Sequence, residues 1–203
     1  MKVKDAGHVM SNAEVAHWIS QKRAQHARED AQDKASGARP TPRPPNFLKS
    51  LEKHERHLSS DAYPYEQNPS AYKGDNSDKS IAKFQAEHMS RIQEPLAAKY
   101  KDAVRKKELS VREAQVKLEM EQEKKELTEA ELLMIHNHAP TSAEQLQPMI
   151  ESVDDRFTPQ ELEVLLDIIL KVFRVDQLQA ARLAKRTEPT AEVSVEGGAE
   201  SIG

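Results

Sequence analysis

Cysteine is absent from this 203-residue chain, so disulfides and thiolate metal sites are excluded, and a reducing compartment fits the composition. Aromatic residues are scarce, at 4%, too few to build one core across the whole length. No apolar run approaches the roughly 20 residues that cross a bilayer. The opening residues, Met1-Lys2-Val3-Lys4-Asp5-Ala6-Gly7, lack the apolar centre of a secretory signal. A soluble protein of the nucleus or cytoplasm is expected. Charge of one sign is missing too: 30 Lys and Arg stand against 34 Asp and Glu, net -4. Such a mixture is a solvated surface, not the basic footprint of a duplex-binding protein.

What the chain does have is charge in bulk, 32% of residues. Its Leu, Ile, Val and Phe gather toward the C-terminal third. Low hydrophobicity with high charge does not offset the entropy of ordering a chain, so long parts are expected to be disordered or ordered by a partner.

Residues 1–10, with Val3 and Val9 and no helical period, read as one strand. A lone strand is unstable in water and has to join another sheet. Ser11 and Glu14 form a capping box that opens a helix over 11–32, with Val15, Trp18 and Ile19 on one face. Beyond Arg23 only alanines are left for packing, and the helix is expected to fray. Gly37 and the run Arg39-Pro40-Thr41-Pro42-Arg43-Pro44-Pro45 make 33–45 a stiff proline-rich linker. Residues 46–126 read as a region of helices and loops. A short helix carries Phe47, Leu48, Leu51 and Leu58, and 59–77 are loop. A helix with Ile81, Phe84, His88 and Ile92 aligned is expected to stop or kink near Glu94, before Pro95. The Lys- and Glu-rich remainder has apolar residues too sparse for heptads. It reads as a solvated single helix or one docked on a partner.

The block 127–185 is the helical heart. Thr128–Glu131, Ser142–Gln145 and Thr158–Glu161 read as three capping boxes. The last opens a helix, with Pro159 at its first position, whose apolar residues include Leu162, Leu165, Ile169 and Phe173. These cover more than one face, so the helix has to be buried nearly all round. Either residues 46–58 and 81–100 close over it, or a partner does. Residues 186–203 are expected to be a disordered tail.

Chemical motifs are few. His136-Asn137-His138 and the pair His54 and His57 offer two histidines each, and zinc wants four suitable ligands. Asp154 and Asp155, adjacent on a helix end, face apart. They read as solvated or paired with Arg156, not as an acid–base couple. Phosphate loops, nucleophile elbows and dinucleotide fingerprints do not occur. No catalytic residue, metal or cofactor is expected.

One stretch carries a resemblance. A helix ends in the step Asn137-His138-Ala139-Pro140, a second ends in Asp154-Asp155-Arg156-Phe157, and a capped leucine-rich helix runs from Glu161 to Phe173. This resembles the helical domain, of HRDC-like fold, in the smaller stalk subunit of archaeal and nuclear RNA polymerases. Asn137, Pro140, Asp155, Arg156 and Phe157 are the motif residues. The start, Met1-Lys2-Val3-Lys4 through Ser11-Asn12-Ala13-Glu14-Val15, resembles the opening of the polymerase III version, the calcitonin gene-related peptide receptor component family. The middle, about 33–125, departs from the pattern in being longer and more charged.

The resemblance implies a mainly α fold: an HRDC-like bundle whose one N-terminal strand joins the partner's sheet, with extended charged helices, a disordered linker and a tail. It implies a non-catalytic stalk subunit. The partners would be a larger OB-fold stalk subunit, the RNA polymerase III core and an initiation factor for tRNA and 5S RNA genes. Val3, Val9, Leu162, Leu165, Ile169 and Phe173 are then candidates for packing or partner contact. The equivalent subunit of RNA polymerase II is the near rival. A helical nucleic-acid-binding or scaffold protein is the distant one.

Overall fold

The computed structural model describes residues 9–187, and every element among them is helical. The strand expected around Val3 and the tail beyond Thr187 lie outside the described residues. Helix α1 (Asn12–Ser36) begins at the Ser11–Glu14 capping box: Ser11 Oγ accepts from Glu14 N–H, and the Glu14 carboxylate accepts from Ser11 N–H. It does not fray after Arg23. Polar pairs one turn apart, such as Gln25 to Glu29 at 2.7 Å, line its outer face. It ends at Gly37, whose φ of 67° only a glycine adopts at low cost.

The proline-rich run then turns back, and α2 (Pro45–Leu58) lies along α1. The run is tied down. Thr41 donates its backbone N–H and its hydroxyl to Asp33, at 2.7 and 2.8 Å. Arg43 reaches Asp30, Glu29 and the His26 carbonyl. Ile19, Leu51 and Leu58 are buried in the main core.

The segment read as loop contains α3 (Pro69–Tyr72), and α4 (Asn76–His88) follows. Pro95 does not stop the chain. A π turn, Met89–Gln93, precedes α5 (Glu94–Arg105), and the Glu94 N–H reaches the Met89 carbonyl five residues back. Proline cannot donate to residue i−4 and crowds its carbonyl. The wider turn absorbs that misfit while the chain stays helical. A second capping box, Ser110–Glu113, opens α6 (Val111–Lys125), which folds back on α5. The charged stretch is therefore a helical hairpin, not a single helix. Leu96, Tyr100 and Ala114 make a small core of its own, flanked by Val104, Leu109 and Leu118. Heptad spacing misses such a core because its residues meet across two helices.

The C-terminal block follows as α7 (Glu129–His138), α8 (Ala143–Leu146), a 3-10 turn (Gln147–Met149), α9 (Val153–Arg156), α10 (Pro159–Phe173) and α11 (Val175–Thr187). The boxes at Thr128 and Thr158 are formed. The one expected at Ser142 is not, because Gln145 turns to the Thr141 backbone and hydroxyl, at 2.9 and 3.2 Å. Helix α10 is the centre of the molecule. Leu165, Ile168, Ile169 and Phe173 have no accessible surface. The chain supplies the cover: α3, α4, the π turn, α8 and α11 all pack on α10, while residues 46–58 pair with α1 instead. Phe84 of α4 stacks on Phe173 with centroids 5.4 Å apart.

Candidate functional site

The motif residues gather at the two ends of α7. At its start, Glu131 completes the Thr128 capping box and is only 6% exposed. Its carboxylate accepts the backbone N–H groups of Thr128 and Glu151, at 2.8 and 2.9 Å, and both terminal nitrogens of Arg156. Burial alone would raise its pKa. The Arg156 guanidinium and the two N–H donors outweigh burial and hold it at about 2.

Arg156 spends its other donors on backbone carbonyls: Lys124 at 2.7 Å, Glu126 at 2.7 Å and Glu151 at 3.0 Å. Its planar fork suits this many-sided clasp as a lysine would not. Phe157 is buried beneath it, 5.6 Å from centroid to guanidinium. Lys125 sits 5.7 Å over the same ring and donates to Glu161 at 2.5 Å and to the Arg156 carbonyl at 3.2 Å. The clasp locks the end of α6, the start of α7, the Glu151 loop and the first turn of α10 together. Asp154 and Asp155 point to solvent and neither pairs with Arg156.

At the far end of α7, the last carbonyls find side-chain donors, as a buried helix terminus requires. Tyr72 donates to the His136 carbonyl at 2.9 Å and Tyr65 to that of Asn137 at 2.7 Å. Arg174 donates to those of Ala139, at 2.6 Å, and His138, at 3.3 Å. Burial pushes both phenols up. Ala139 closes the helix at φ 39°, before the buried Pro140. Asn137 Oδ1 accepts the Asn12 backbone N–H at 2.8 Å, so α7 also holds the first turn of α1. The His136 ring lies among Tyr72 and Phe173 with Nε2 3.2 Å from Ser77 Oγ. Burial lowers its pKa to about 4.

Of the candidate contact residues, Leu162, Leu165, Ile169 and Phe173 lie in the main core. Val3 is outside the described residues. Val9 is 62% exposed, and Met10 and Trp18 continue an apolar strip along the start of α1. Beside that strip lies a shallow cleft of about 330 Å³, walled by Met10, Trp18 and Tyr72 and edged by Asp75 and Asp78. Among the described residues no three His, Asp or Glu side chains gather to hold a metal ion, and no helix is long and apolar enough to cross a membrane. Tyr65, Tyr72 and Arg174 escaped the sequence reading. The only signal for the two phenols was a set of three tyrosines, Tyr63, Tyr65 and Tyr72, in the segment 59–77.

No curated protein and no solved structure matches the chain. One family model does, from Val9 to Phe173, the stretch that holds both cores, both ends of α7 and all of α10. On that match the chain belongs to the RNA polymerase Rpb4 family, non-catalytic subunits of the polymerase stalk.

Proposed function

We propose that the chain is the smaller stalk subunit of nuclear RNA polymerase III. It pairs with a larger OB-fold stalk subunit and supports initiation on tRNA and 5S RNA genes through an initiation factor. It carries no chemistry of its own. The observation that carries this reading is the start of the chain. Met1 through Val15 resembles the opening of the polymerase III version, and Ser11 and Asn12 anchor the start of α1: Ser11 by its capping box, Asn12 on the motif residue Asn137. With Asn12 fixed, Val9 and Met10 stand exposed just ahead of α1, and Trp18 is exposed on its second turn. A strand departing there suits addition to a partner's sheet, where backbone hydrogen bonds supply affinity and alternate side chains fill pockets.

The test is purification of the tagged chain from nuclear extract, with mass spectrometry of what accompanies it. Polymerase III core subunits together with the OB-fold subunit are the expected result. Polymerase II subunits instead would keep the family and change the genes. Direct nucleic-acid binding is the second reading. It predicts affinity falling steeply with salt, and the net charge of -4 speaks against it.

A further inference from the structure

The run between α1 and α2 repeats in threes: Arg39, Pro42 and Pro45 follow the order Arg-x-x-Pro-x-x-Pro. The backbone there has few choices. Pro40, Pro42 and Pro44 have φ fixed at about −65°. Arg39, Thr41, Arg43 and Pro44 each precede a proline, which keeps them out of the helical region. Residues 38–44 are accordingly neither helix nor turn, and Pro44 has φ −58° and ψ 124°. These constraints make polyproline II backbone, with about three residues per turn.

A chain with a threefold period has three edges. The body of the protein holds one of them through Arg43, which is half-buried and donates to Glu29, Asp30 and the His26 carbonyl. Thr41, on the second edge, is exposed and tied to Asp33. The third edge carries Arg39, Pro42 and Pro45, and all three are exposed. The two arginines differ in charge as well. Arg43 is neutralised by Glu29 and Asp30, while Arg39 makes no ion pair among the described residues. The tethers at Thr41 and Arg43 hold the run in place, which lowers the entropy lost when something binds the open edge.

We propose that this edge is a docking ridge for a polyproline-reading domain of the SH3 type. Its aromatic-lined groove takes the rings of Pro42 and Pro45, and carboxylates at one end of the groove take the Arg39 guanidinium. Proline rings on a preformed backbone are rigid apolar knobs, and the single free cation fixes the direction in which the ridge lies. A groove built for an amphipathic helix does not fit, because the backbone is not helical. Helix α1 is 25 residues, about 37 Å long. The ridge therefore stands a helix length away from Val9, Met10 and Trp18, and its occupation leaves the proposed contact with the larger stalk subunit free.

The test titrates the isotope-labelled full chain with a purified SH3 domain selected for Arg-x-x-Pro-x-x-Pro ligands. The expected result is saturable binding that moves amide resonances between Gly37 and Leu48. P42A should lower the affinity about tenfold and R39E at least as much. P40A, on the edge shared with Arg43, should change it by less than about twofold. Melting temperatures of the variants confirm that they fold, and P45A gives a second reading of the proline edge. No binding, binding indifferent to P42A and R39E, or a loss with P40A equal to that with P42A each overturns the proposal. A free peptide of residues 36–47 separates the motif from its setting. If the peptide bound the probe and the full chain did not, α1 would be screening the ridge, and the proposal would fail. Binding of a WW domain with the SH3 domain inert would also overturn it, by removing the role of Arg39.

Discussion

Glu131 and Arg156 are 25 positions apart, yet each is the other's main partner. Arg156 was legible as a motif residue. Its partner was not, because Glu131 already had a role in a capping box and Asp154 and Asp155 stood nearer in sequence. Removing Arg156 leaves a carboxylate buried without its cation, so Arg156→Ala should cost about 3–5 kcal/mol. Acid should act in two windows, both of the same sign. His136 binds its proton at about 4 when folded, below its ordinary 6.5. Its contribution is complete above pH 6.5 and disappears as pH falls toward 4. Glu131, lowered from 4.5 to about 2, contributes fully above pH 4.5 and loses that as pH falls toward 2. At 1.36 kcal/mol per unit, each window holds about 3 kcal/mol. Denaturant midpoints from pH 7.5 to 3 check this. H136Q should flatten the upper window alone and E131Q the lower. Equal stability of the unaltered chain at pH 7 and 4.5 would refute the His136 assignment.

Among elements, legibility followed the caps. Boxes at Ser11, Thr128 and Thr158 are local, four-residue devices, and these three are formed. The Ser142 box fails because its fourth residue has a competing partner in Thr141. The α5–α6 hairpin was illegible for a deeper reason: its core is made between helices. That core is small, three buried residues against twenty in the main one, and its surface is charged. Local opening follows contact density. Amides of α6 should therefore exchange with solvent well before those of α10, in one cooperative unit with the second half of α5. Native-state hydrogen exchange reads this directly. Equal protection in α6 and α10 would show the hairpin to be an integral part of the main core. Ser110→Ala, which removes the box that restarts the helix, should speed α6 exchange by about 1 kcal/mol and leave α10 unchanged.

At the scale of the molecule, the apolar surplus of α10 had two readings, cover by the chain or by a partner. The chain supplies the cover, which separates residues that hold the fold from residues left to meet something else. Leu165 is wholly inside. Leu165→Ala should cost about 2–5 kcal/mol, and any loss of stalk-partner binding should track the unfolded fraction. The strip of Val9, Met10 and Trp18 stands outside. Changing all three to Ser should alter stability by no more than about 0.5 kcal/mol per site and still abolish capture of the larger stalk subunit. The two variants have to be measured side by side, for thermal stability and for partner capture at a temperature where both are folded. If the folded Leu165→Ala chain lost the partner while the strip variant kept it, the contact face would lie over α10, and the chain's own cover would have to open for assembly. The opposite pattern means that the bundle is complete by itself and meets the polymerase by its N-terminal edge.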